Sequence, residues 1–448
     1  MKRLLIDYTL ICIMIIMTLL IFISFFEVIN LSYKTVVILS TFISILGTYI
    51  VIKKRGFGFA AVYLMYMSLA HLGTVSTEMF FPGSFAKFRV VPGWFNESNL
   101  YPVIHLVGIS LSMFTFGTVC FTRNIKRQIN KQRINLYSKG NQYIFYTGLI
   151  FILLYLFILL YGIFSGSISI ETYADYRDSK LPGYVWFLFL FRIGVPFCFA
   201  TGNLKQIRFT SLLLLLSTAI IFFAGSRGEI IYPLAIAITI LFIRGMKINL
   251  KHITVFIIIF FLLIPIVAQT RGDFSKLTED DFELNFTDPF IEAGVIIRPY
   301  TETYNWLKAG EDLGYGKTYF IPVQRILGYL PYIKRPKLEG SRFFLKERTP
   351  TQGYSTLAEA YFNFGVLGII IFPFLVSYII NKLYLLSYRS QEWLAYSGGL
   401  MVILLANIRG HFLSVPAHIL ILSIIFTACI FIHRYSEVKH SKNMIESY

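Results

Sequence analysis

Residues 8–26 read YTLICIMIIMTLLIFISFF, a run with no charged side chain. A helix needs about 20 apolar residues to cross a hydrocarbon core. Residues 143–164, YIFYTGLIFILLYLFILLYGIF, are equally free of charge. A helix that is apolar on every face has no side to offer water, so it belongs in lipid or in a very large core. The 448 residues are 56% hydrophobic and 15% charged, whereas a soluble domain carries about 25% charged residues. Outward from these two runs, further apolar blocks occur at roughly 35–52, 57–76, 102–121, 183–201, 209–225, 229–243, 253–270, 356–380, 392–408 and 416–433. The expected fold is all-α, a polytopic integral membrane protein of about twelve transmembrane helices. Blocks 209–225 and 229–243 are short and separated by Gly225, Ser226, Arg227 and Gly228. They read either as two tilted helices or as a broken pair lining a cavity. Block 392–408 is short as well, and removing an adjacent pair leaves ten helices with the same sidedness.

The net charge of +17 is concentrated between the blocks. Lys2 and Arg3, Lys53 to Arg55, the group from Arg123 to Arg133, Lys205 and Arg208, Arg244 to Lys251, Lys382 and Arg389, and Arg434 to Lys442 make every second loop basic. This is the positive-inside pattern, and it puts both termini in the cytoplasm. It leaves no role for nucleic acid. Cys12, Cys120, Cys198 and Cys429 all fall in apolar blocks and read as small buried hydrophobes. The first block lacks a small-residue cleavage site and reads as a retained helix.

The expected organisation has three parts: helices and short loops over 1–270, one large external loop over 271–355, and helices with a cytoplasmic tail over 356–448. The large loop balances twelve basic against twelve acidic residues and is rich in Phe, Tyr and Trp. Flexible linkers are poor in aromatics, so this loop is expected to fold against the membrane. Within it, 290–309 predicts a short helix broken at Pro299, and 320–330 a second, amphipathic one.

No phosphate-cradling Gly-Lys-Ser/Thr loop, paired-His zinc helix or Asp-x-Asp element is present. No metal or cofactor is expected. His71 and His105 read as structural. Arginine on the outer side runs against the charge rule: Arg227, Arg271, Arg298, Arg325 and Arg409. The guanidinium fork suits phosphate oxygens bidentately, so an outward pocket of arginines suits a pyrophosphate. Glu359 lies at the start of an apolar block behind Ser355 and Thr356. It reads either as a first-turn dipole partner beside a Ser or Thr cap, or as a functional carboxylate at membrane depth. Glu229 and His411 share turns with Arg227 and Arg409 and are further candidates.

The run from Gly353 to Gly368, GYSTLAEAYFNFGVLG, resembles a segment of the O-antigen polymerase (Wzy) family. So do Leu330 to Pro336 and Ala224 to Glu229. The resemblance implies a C-type glycosyltransferase that joins undecaprenyl-pyrophosphate-linked oligosaccharides outside the plasma membrane. It implies Glu359, Arg298 and Arg409 as catalytic candidates. Arg227, Arg271, Arg325, Tyr361, Glu229 and His411 become substrate-binding candidates. It also implies a flippase and a chain-length regulator as pathway partners, beside membrane lipids. Related ligases use a histidine in the large loop, and 271–355 has none, which leaves the acceptor-activating base unassigned. The alternatives are a lipid-linked oligosaccharide flippase and, third, a ligase or acyltransferase of the same envelope.

Overall fold

The computed structural model describes residues 2–87, 94–121, 140–168, 183–223, 228–246, 285–328, 335–337, 340–349 and 353–446. Among these residues every regular element is a helix. Of the longer helices, the first eight are α1 (Lys2–Phe25), α2 (Tyr33–Arg55), α3 (Phe59–Phe80), α4 (Glu97–Cys120), α5 (Gln142–Phe164), α6 (Tyr184–Thr201), α7 (Leu204–Phe223) and α8 (Gly228–Ile243). The long segment between the apolar blocks contributes α9 (Asp288–Gly294), α10 (Ile297–Lys308) and α11 (Lys317–Leu327). Then come α12 (Thr356–Ser387), α13 (Gln391–Ile408) and α14 (Val415–Glu446). Eleven of the twelve apolar blocks coincide with described helices. The block 253–270 lies outside the described residues, as do Arg227 and Arg271. Nine helices among the described residues are long and apolar enough to cross a membrane, and α8 is a shorter apolar helix.

Local chemistry starts and stops these helices. The Ser32 hydroxyl accepts the Thr35 amide at 3.2 Å to open α2, and Lys53, Lys54 and Arg55 close it against the negative end of its dipole. Asn96 and Asn141 cap α4 and α5 in the same way.

The chain forms two compact units. The first takes Met1–Arg127, Phe286–Lys382 and Leu404–Ala417. In it, α2 packs on α3 and α4, and α1 packs on α4. Within the protein 78% of α3 and of α4 is buried, against 22% of α1, so α3 and α4 form its centre. The loop helix α9 docks directly on α3. A Cβ at Gly73 would overlap the Phe290 carbonyl, and one at Gly294 would overlap the Thr74 amide. Two glycines thus let backbone meet backbone, and Thr74 donates to the Ile291 carbonyl at 2.7 Å.

The described residues of the aromatic segment include these three helices, but the break expected at Pro299 falls elsewhere. It lies between Gly294 and Ile297, and Pro299 sits within the first turn of α10. There its missing N–H costs nothing, because first-turn amides have no partner within the helix. The second loop helix forms at Lys317–Leu327.

One further break matters. In α12, Gly365 has φ 58° and ψ −141°, a conformation that a side chain resists. The carbonyls of Phe362 and Asn363 lose their helical partners there. They accept instead the amides of Gly314 and Tyr315, at 2.8 and 3.0 Å. The loop therefore seals the gap in the helix.

The second unit takes Gln128–Asn285, Leu383–Ile403 and His418–Tyr448. Here α6 is central, packing on α5, α7 and α8.

Candidate functional site

In the first unit, polar side chains gather around the first two turns of α12. Ser355 is the helix cap, its hydroxyl accepting the Ala358 amide at 3.2 Å. That hydroxyl also lies 2.7 Å from His71 Nε2. His71 Nδ1 faces the Met67 carbonyl at 2.8 Å, so Nδ1 carries the proton and Ser355 donates to Nε2. His71 and His105 are both fully buried and hydrogen-bonded, in keeping with structural roles.

Since Ser355 caps the helix, the Glu359 carboxylate is available elsewhere. It is 1% exposed. Its Oε2 accepts the backbone amide of Phe412 at 2.7 Å, and it takes the Thr318 hydroxyl as well. Asn363 donates to Thr318 at 2.6 Å and to the Glu359 carbonyl at 2.8 Å. Glu359 thus ties α11 and α12 to the turn carrying Arg409, Gly410 and His411. Two further contacts hold that turn. The Arg409 carbonyl backs onto Gly353, and Asn407 donates to the Thr356 hydroxyl at 3.3 Å. His411 stacks on Phe344, with ring centroids 5.9 Å apart.

Tyr361 lies two residues beyond Glu359. It stacks on Tyr304 and leans on Tyr300, each at 5.9 Å. Tyr354 pairs with the Thr303 hydroxyl at 2.6 Å. Burial pushes the phenols of Tyr300, Tyr319 and Tyr354 well above their ordinary range. They stay neutral, so none of the three is a phenolate base.

Two of the other predicted arginines, Arg298 and Arg325, fall among the described residues. Arg298 pairs through Nε with Glu302, one helical turn on, at 2.8 Å. Arg325 is half-buried in the last turn of α11.

In the second unit, Glu229 is buried in the first turn of α8. Its Oε2 accepts the hydroxyls of Tyr155 at 3.0 Å and Tyr184 at 2.8 Å, and these phenols lie 2.7 Å from each other.

The contacts of three further arginines are not legible in the sequence. Arg192 lies at the middle of α6. It donates to the Gly228 carbonyl at 3.3 Å, and its guanidinium sits 5.5 Å from the Tyr232 ring centroid. The sequence shows it only as a single charge inside the block 183–201. Arg348 grips Glu311 with both nitrogens, at 2.8 and 2.7 Å, and stacks on Trp306 at 3.6 Å. Nothing in the sequence announces a partner thirty-seven residues away. Arg244 is buried and donates to the carbonyls of Phe199 and Gly202, at 2.7 and 2.8 Å. It closes the end of α6, a structural duty.

A helical membrane protein with buried carboxylates in the first turns of apolar helices is the general class. The chain belongs to the O-antigen polysaccharide polymerase Wzy family, whose model matches residues 8–439. It is 31% identical over 415 residues to Protein CapE of Staphylococcus aureus, covering 91% of this chain and 92% of that protein. No solved structure matches it.

Proposed function

We propose that this polysaccharide polymerase joins repeat units carried on undecaprenyl pyrophosphate, at the outer face of the bacterial plasma membrane, with both termini in the cytoplasm. A hydroxyl on one lipid-linked unit attacks the anomeric carbon of the growing chain. A carbon–oxygen bond forms to the acceptor, and the bond to pyrophosphate breaks. The pyrophosphate takes the bonding electrons, and a base takes the hydroxyl proton. Negative charge therefore builds on the leaving pyrophosphate, and fixed cations there lower the barrier. In this reading arginine supplies that charge and no cofactor is needed.

Arg409 and Arg298 carry the chemistry, and Arg227, Arg271 and Arg325 hold substrate phosphates. Tyr361, beside Tyr300 and Tyr304, offers aromatic faces to sugar rings. Glu359 is a positioning residue: it acts through Phe412 to fix the Arg409 turn. His411 is the candidate for receiving the acceptor proton, and Glu229 holds the phenols of Tyr155 and Tyr184. A flippase upstream and a chain-length regulator complete the pathway.

The observation that carries the reading is the 2.7 Å bond from the Phe412 amide to Glu359. It couples a buried carboxylate to the arginine-bearing turn. The test is a gel of surface polysaccharide after deleting and restoring the gene. A polymerase predicts collapse of the ladder to one added repeat unit. Complete loss of surface sugar would favour the flippase alternative, and an unchanged ladder would reject both. Arg298→Ala, Arg409→Ala and Arg227→Ala variants that express normally should shorten the ladder.

A further inference from the structure

Arg192 has an unusual position for a cation. It lies about 12 Å along the axis from Tyr184, at 1.5 Å per residue, near the midpoint of an 18-residue span. A charge there is costly and needs a compensating partner. Yet Arg192 makes no ion pair among the described residues, and its Nε is buried without an acceptor. Glu229, next in sequence to Gly228, holds the phenols of Tyr155 and Tyr184 through Oε2 and makes no ion pair with Arg192 among the described residues. The guanidinium has five donors. One reaches the Gly228 carbonyl at 3.3 Å. This contact carries the charged head toward the first residue of α8. The Tyr232 ring lies beside the guanidinium, which helps hold its plane, and the remaining donors have no hydrogen-bond partner among the described residues.

A fixed guanidinium fork with spare donors, between apolar helices, matches an anion that arrives on a lipid. We propose that Arg192 is a binding site for the pyrophosphate of one lipid-linked substrate, within the second unit. The inference rests on the polymerase reading, in which two lipid-linked molecules must be held at once. It adds, in the second unit, a phosphate site beyond the one that the reading gives to Arg298, Arg325 and Arg409 in the first.

Native mass spectrometry of the purified full chain tests it, counting undecaprenyl pyrophosphate molecules per chain. Arg192→Ala should retain one fewer than the unaltered protein. Arg192→Lys keeps the charge but loses the fork, and should bind at least tenfold more weakly than the unaltered chain. Arg208→Ala, which removes an exposed basic residue of α7, should retain as many as the unaltered chain. Circular dichroism and gel filtration establish that each variant is folded, and should Arg192→Ala fail that check, Arg192→Lys and Arg192→Gln carry the test. Equal counts in folded Arg192 variants and unaltered protein would overturn the proposal. So would displacement by phosphatidylglycerol at equal concentration, which would make the site a general headgroup contact. The polysaccharide ladder of the deletion strain decides the polymerase reading separately, so an Arg192 failure leaves that reading intact.

Discussion

Glu359 and Glu229 look alike in the sequence and differ in what they hold. Each lies in the first turn of an apolar helix, and each is buried. Glu359 receives a backbone amide and a threonine hydroxyl, so it fixes the path of the chain. Glu229 receives two phenols on a single oxygen, so it fixes side chains. A carboxylate that anchors backbone has no substitute nearby when it is removed. One that anchors two phenols leaves partners able to bond each other across their 2.7 Å separation.

The sharpest way to break this contrast is to truncate both. Glu359→Ala leaves the Phe412 amide without its acceptor, at about 2–3 kcal/mol, or roughly a 100-fold loss of chain extension if the turn moves. Glu229→Ala should lose about tenfold or less, because the phenols can pair. Time courses of polymer length at matched protein levels check both, and equal losses would end the distinction. The amide replacements separate them more finely. Glu229→Gln keeps one oxygen for both phenols and should stay within about threefold of the unaltered chain. Glu359→Gln turns a donor toward Thr318 and should lose about tenfold.

A double-mutant cycle on Tyr155→Phe and Tyr184→Phe comes next. The two share one acceptor, so thermal unfolding should show a coupling of at least about 0.5 kcal/mol. Strict additivity would mean the triad is not a unit. The smallest effect belongs to Glu302→Ala. Its pair with Arg298 is partly exposed, so stability should change by less than about 1 kcal/mol.

The sequence carried the helices well, because twenty apolar residues in a row have few alternatives. Glu359 and the Arg409–His411 turn were each conspicuous too, being charges where apolar residues dominate. Their bond was not legible, since it joins a side chain to a backbone amide fifty-three positions on. Backbone amides leave no mark in a sequence. The sequence points to Pro299 as the breaker, but a first-turn proline is compatible with a helix, and the break falls before Ile297. Arg192 left a fainter mark than the loop arginines, one charge diluted by the eighteen residues of its apolar helix.

The Gly365 break has a consequence in the arithmetic of thickness. Uninterrupted, α12 would be about 48 Å long, far more than a hydrocarbon core of about 30 Å. The portion after the break, Val366–Ser387, is about 33 Å and crosses with little mismatch. The preceding turns, from Thr356 to Phe364, are surplus to the crossing. They are released from any duty to span lipid, and a carboxylate borne on them escapes the full cost of immersion in oil.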